Sequence, residues 1–125
     1  MPTIKPHLEA LRRQLELASE ELPPDVGLRF RAMFGGIGAY GRDRMFASLS
    51  DAGLALKLSP PDRAALLAKE GARPLQYEAG GPVSKEYVVV PPRIGGDATA
   101  LAEWVRLSVA HAATKPATKR KRPSR

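Results

Sequence analysis

Between His7 and Leu22 the apolar residues Leu8, Leu11, Leu15, Ala18 and Leu22 recur at helical spacing, while Glu9, Arg12, Arg13, Glu16 and Glu20 take the opposite face. The pattern predicts an amphipathic helix. Pro23-Pro24-Asp25 ends it, because proline has no amide proton and disfavours helical geometry in the residue before it. From Leu28 the period changes to two: Leu28, Phe30, Ala32 and Phe34 fall on one face, and Arg29, Arg31 and Met33 on the other, as in a strand. Gly35-Gly36-Ile37-Gly38 is expected to interrupt this strand, Tyr40 to Arg44 to form a turn, and Met45 to Ser50 to resume an extended run. Asp51-Ala52-Gly53 then turns the chain into Leu54 to Leu58, where leucines alternate with Ala55 and Lys57. Three sequential strands with short links imply an antiparallel meander.

Ser59-Pro60-Pro61-Asp62 has the chemistry of a helix start, with a capping hydroxyl, proline in the first turn and an acid at the positive end of the dipole. This helix is expected to run to about Glu70, with Gly71 closing it in the left-handed conformation. Leu75 to Glu78 and Glu86 to Val90 read as two further strands separated by Ala79-Gly80-Gly81-Pro82, and Pro91-Pro92 ends the sheet. The last helix begins near Asp97 and carries Leu101, Trp104, Val105, Ser108 and Ala112 along one stripe. The order α-β-β-β-α-β-β-α predicts a two-layer α+β domain with an antiparallel sheet over residues 1–113. Residues 114–125 have no large apolar side chain, and a disordered tail is expected there.

The formal net charge of +7 changes the picture only at one end. Lys115, Lys119, Arg120, Lys121, Arg122 and Arg125 fall in the tail with no acid, so residues 1–114 hold one more cation than acids. A nucleic-acid reading of the charge therefore applies to the tail, where such a run gives sequence-independent phosphate binding. The absence of cysteine excludes disulfides, thiolate metal sites and cysteine nucleophiles. No signal-peptide pattern, acyl motif or membrane-length apolar run is evident, and a bacterial, cytoplasmic protein with no membrane partner is expected.

The stretch Arg31-Ala32-Met33-Phe34-Gly35-Gly36-Ile37-Gly38-Ala39-Tyr40, followed by Met45-Phe46-Ala47 and Leu54-Ala55-Leu56-Lys57, resembles the opening of the N-terminal domain of the TfoX/Sxy competence regulators. Pro74-Leu75-Gln76-Tyr77, Glu86-Tyr87 and Val90-Pro91 resemble later strand motifs of the same family. The resemblance covers roughly residues 7–113. It implies a secretion-chaperone-like α/β domain, often dimeric, with Arg31, Met33, Phe34, Gly35, Gly36, Gly38, Tyr40, Met45, Phe46 and Lys57 as its motif residues. Two features depart from the family pattern: Ala55 stands where tyrosine is usual, and the residues after 113 are not expected to form the helical second domain of the full-length regulators.

Candidate chemistry is sparse. Gly36-Ile37-Gly38-Ala39-Tyr40-Gly41 matches the three-glycine dinucleotide pattern, but a strand follows it where that motif needs a helix. These glycines are expected to serve a bulge or tight hairpin instead. His7 and His111 lie at opposite ends of the sequence, and no metal or other cofactor is expected. No serine has an evident base, so the chain is not expected to be an enzyme. The expected function is a non-catalytic regulatory or interaction module, a homodimer or the binder of a protein partner, whose tail adds nonspecific nucleic-acid affinity. Met33, Phe34, Tyr40, Met45 and Phe46 are expected to cover the sheet as core before they serve as a partner surface, and because Met33 shares a face with Arg29 and Arg31, that face is the better candidate for a contact. One alternative is a sequence-specific DNA-binding regulator. Another is an enzyme whose glycine-rich turn gathers Arg31, Tyr40, Arg42, Asp43 and Lys57 around a small molecule.

Overall fold

In the computed structural model, which describes residues 6–33, 36–76 and 80–114, the segment after Leu28 makes two strands where one was expected. β1 (Arg29–Met33), β2 (Gly36–Gly41), β3 (Arg44–Ser50) and β4 (Gly53–Lys57) form an antiparallel meander. β5 (Arg73–Pro74) and β6 (Tyr87–Val89) complete a six-stranded antiparallel sheet of order β1-β2-β3-β4-β6-β5. The helices are α1 (Pro6–Ser19), α2 (Pro60–Leu67), the single-turn α3 (Pro92–Gly95) and α4 (Ala98–Ala113). The two-layer α+β class is as the sequence predicts, but the element order is α-β-β-β-β-α-β-β-α-α.

The glycine-rich stretch corrects the sequence reading. Gly36–Gly41 is a full strand inside the sheet, in which Ile37 and Ala39 are buried on the helix side and Gly36 and Gly38 face the other way. A Cβ on Gly36 would run into the carbonyl oxygen of Leu49 on β3, so this glycine marks a close approach of two strands. The turn is only Arg42-Asp43, both with positive φ (52° and 65°), the twist-matched geometry of two-residue hairpins. Three contacts hold it. The Arg42 amide donates to the Val26 carbonyl (2.6 Å), the Arg42 guanidinium meets Asp25 (3.2 Å) and Arg29 meets Asp43 (2.8 Å).

Other boundaries shift by a turn. α1 stops at Ser19, and residues 20–22 finish in tight-turn hydrogen bonds before a 3-10 turn at Pro24–Val26. α2 stops at Leu67, yet Gly71 adopts the left-handed conformation expected of it (φ 89°). β5 is Arg73–Pro74 instead of 75–78, with the Leu75 amide continuing the pairing to the Tyr87 carbonyl (2.9 Å). The rest of that expected strand, residues 77 and 78, lies outside the described residues, as do Ala79, Phe34, Gly35 and the whole tail from Lys115. Pro92 does not merely end the sheet; its fixed φ starts α3.

Every helix supplies one face of the sheet. Leu8, Leu15 and Ala18 of α1, Leu66 of α2, Ile94 of α3 and Leu101, Val105, Val109 and Ala112 of α4 form one core with Ile37, Phe46, Leu49, Leu54, Leu56 and Val88. The register of β2 against β3 shifts between Ala39↔Ala47 and Tyr40↔Met45, leaving Phe46 as the extra residue of a bulge. Both Phe46 and Ala47 thereby enter the core. Pairing of β3 with β4 ends at Ala47↔Leu56. One step beyond, the fully buried Ser108 hydroxyl of α4 lies 2.8 Å from the Phe46 carbonyl and 2.7 Å from the Lys57 carbonyl, so one donor serves two acceptors that the ladder has left.

Asp97 caps α4, its carboxylate accepting the Thr99 and Ala100 amides at 3.1 Å each. Asp97→Ala is expected to cost about 1 kcal/mol and lower the melting temperature by about 4 °C. Asp97→Asn keeps the acceptor and should retain most of that stability in thermal unfolding.

Candidate functional site

With all four helices gathered on one side, the opposite face of the sheet carries no helix. Its apolar cluster is small: Ala55, Leu75 and Val89, with Ala52 and Tyr87 against them. The register draws one continuous row across all six strands, Arg31, Gly38, Ser48, Ala55, Val89 and Arg73, each residue the direct cross-strand partner of the next. Beside it stand Arg29, Tyr40 and Met45 on β1 to β3, and Lys57 opposite Tyr87 on β4 and β6. Gly38 is the low point of the row. A Cβ built there would fall 2.6 Å from Met33 Sδ and 3.3 Å from Met45 Cε, so two thioether side chains lie over it, and Met33 remains 44% exposed.

The electrostatics of the two sides differ. The six strands carry five cations, Arg29, Arg31, Arg44, Lys57 and Arg73, and no aspartate or glutamate. Acids sit instead on the helices and in loops, among them Glu9 and Glu16 on α1 and Glu103 on α4. Arg29 reaches Asp43 in the hairpin turn, and Arg73 donates to the Ala52 carbonyl (2.7 Å). Arg31 makes no hydrogen bond or ion pair among the described residues and is exposed. With Arg29, Phe30 and Tyr40 it lines a shallow cleft at the β1 border of the sheet. Arg12 of α1 closes over the far side of Phe30, 5.1 Å from the ring centre.

At the Lys57 end of β4 a second polar group forms, which includes a residue of α4. Lys57 Nζ lies 4.0 Å from one carboxylate oxygen of Glu86 and 6.0 Å from the Tyr87 ring, and His111 Nε2, in the last turn of α4, lies 3.6 Å from the other oxygen. Lys57 and His111 are largely buried, with side chains 15% and 13% exposed. Sequence spacing does not show this cluster, because residues 57, 86 and 111 meet only through the β4–β6 register and the packing of α4. His7 likewise finds a carboxylate through space, at Asp51 (2.8 Å).

The motif residues therefore divide by role. Phe46 is fully buried core, and Gly36 serves the β2–β3 approach. Arg31, Met33, Gly38, Tyr40, Met45 and Lys57 share the helix-free face, as the period-two pattern of Arg29, Arg31 and Met33 anticipated for β1. The small-molecule constellation does not assemble. Arg42 turns to Asp25, Asp43 to Arg29 and Lys57 to Glu86, so only Arg31 and Tyr40 share a cleft. Sequence reasoning missed Arg73 and the meeting of Glu86 and Tyr87 with Lys57; alternation in Tyr87-Val88-Val89 would have paired Tyr87 with Val89 on one face, but not with Lys57.

No helix among the described residues is long and apolar enough to cross a membrane. No curated protein matches the chain. The model of the TfoX N-terminal domain matches residues 22–112, from just after α1 to the last turn of α4, and spans the glycine-rich hairpin, the bulge and the helix-free face. On that match and the fold that accompanies it, the chain belongs to the TfoX N-terminal domain family.

Proposed function

We propose that the protein is a non-catalytic regulatory interaction module of the cytoplasm: the folded domain presents its helix-free sheet face to a partner, and the basic tail adds nonspecific affinity for nucleic acid. The observation that carries this reading is the asymmetry of the domain. The helices occupy one side, and the other is presented by strands whose charged residues are all cations. A surface of exposed Met33 and Arg31 beside half-buried Tyr40 and Met45 suits recognition, since thioethers and aromatic rings adapt to a partner while arginine orients it. The family resemblance supports a regulatory role, and the charge partition supports the tail's part in it.

The tail is tested by deleting residues 115–125. Binding to a mixed-sequence duplex, measured against salt, should be strong and salt-steep for the full chain, with a log–log slope of about −0.9 for each phosphate neutralised. The truncated protein should lose that binding and keep its melting temperature. Equal duplex binding by both proteins would remove the tail from the proposal.

A further inference from the structure

We infer that the occupant of the helix-free face is a single-stranded nucleic acid, held at the β1–β2 border by Arg29 and Arg31 with a base stacked on Tyr40. The inference deepens the preceding proposal and rests on its reading of this face as the working surface.

Charge complementarity is the first argument. The row that crosses the whole sheet begins at Arg31 and ends at Arg73, Arg29 stands beside it on β1, and no acid stands on any strand; the flanking acids Asp43 and Glu86 meet Arg29 and Lys57. Such a surface repels its own copy and selects a polyanion. Arg29 and Arg31 alternate with Phe30 on an extended strand, so they project from the same face about 6.7 Å apart. That is close to the separation of neighbouring phosphates in an unstacked strand. Among the described residues Arg29 is held by Asp43 alone, and both side chains are mostly exposed, at 66% and 82%. Exchanging that surface pair for a phosphate costs little.

The second argument separates nucleic acid from an acidic polypeptide. Tyr40 is the direct cross-strand partner of Arg29 and lines the same cleft as Arg31. Stacking on an aromatic ring beside a phosphate-binding arginine gives affinity to a base without sequence preference. Carboxylates would use the arginines and leave the ring idle.

Width separates single from double strands. Five inter-strand steps of about 4.8 Å make the face about 24 Å across, roughly twice the 12 Å of a duplex major groove. The sheet cannot enter the groove, and the bases of a duplex stay out of reach of Tyr40. Unpaired bases do not.

The test uses the full chain with Lys119, Arg120, Lys121 and Arg122 changed to alanine, so that the tail's contribution is suppressed without shortening the protein. Fluorescence anisotropy is measured with labelled oligothymidine, with a duplex, and with polyglutamate as competitor. This protein should bind oligothymidine more tightly than duplex, and polyglutamate should compete poorly. Arg31→Glu should weaken oligothymidine binding about ten-fold, and Arg31→Ala should flatten the salt slope by about 0.7. Tyr40→Leu should weaken binding about ten-fold while Tyr40→Phe retains it, a contrast that mere loss of stability would not give. No binding of oligothymidine by the tail-substituted chain, equal binding of duplex, or indifference to Arg31→Glu would overturn the inference. So would equal competition by polyglutamate, which would make the occupant an acidic polypeptide, or a change of sedimentation with Arg31→Glu, which would make it a second copy. These results leave the tail experiment untouched, so the two proposals fail separately.

Discussion

Gly36→Ala is expected to destabilise the domain by about 3 kcal/mol, a loss of roughly 10–15 °C in melting temperature, although it adds a single methyl group. The added Cβ would meet the Leu49 carbonyl oxygen, which is backbone and cannot rotate away. β3 cannot yield either, because Leu49 is fully buried in the core and the strand is paired on its other side with β4. Relief requires β2 to lift from β3, which would break the Ile37↔Leu49 contact. Gly38→Ala is the control. There the obstruction is Met33 Sδ and Met45 Cε, the ends of flexible side chains, and the cost should stay under about 1 kcal/mol. Chemical denaturation of the two variants separates them; equal losses would mean that conformational entropy, and not the backbone clash, dominates at Gly36.

Ser108→Ala should cost about 2 kcal/mol, or roughly 8 °C, from the loss of one hydroxyl. In a helix face that otherwise buries Leu101, Val105, Val109 and Ala112, an alanine would ordinarily be welcome. Here the hydroxyl is the donor for the carbonyls of Phe46 and Lys57, left over where the bulge ends the β3–β4 ladder. Removing it strands the buried Phe46 carbonyl and the part-buried Lys57 carbonyl, and the penalty for unmade hydrogen bonds exceeds the gain in helix propensity. Ser108→Val should be worse, since it adds volume to a fully buried site as well. An unchanged melting temperature for the alanine variant would show that the bulge does not depend on this bond.

These two sites also mark what the amino-acid sequence could reveal. Amphipathic periodicity exposed α1 and α4, and alternation exposed β1 and β4, because each turns its larger apolar residues to one face. Chemistry at turns was equally legible: Ser59 caps α2 by accepting the Asp62 amide, and Gly71 is left-handed. β2 was not legible, because Gly36 and Gly38 look like loop residues until the closeness of Leu49 and Met33 is known. Arg42-Asp43 lacks the glycine that usually announces a two-residue hairpin, and tertiary contacts to Asp25, Val26 and Arg29 supply what the turn chemistry does not. On the candidate face, Arg29, Arg31 and Met33 were grouped correctly by period two alone. Lys57, Glu86, Tyr87 and His111 were not, since no local pattern encodes which strand pairs with β4.

The borders of the sheet decide one further property. β5 is two residues long and ends in Pro74, which offers no amide to a newcomer, while β1 presents Arg29 and Arg31 to any identical strand that approaches. Among the described residues, the sheet therefore offers no unguarded template for lengthwise polymerisation, and crowding should not seed fibrils from these borders.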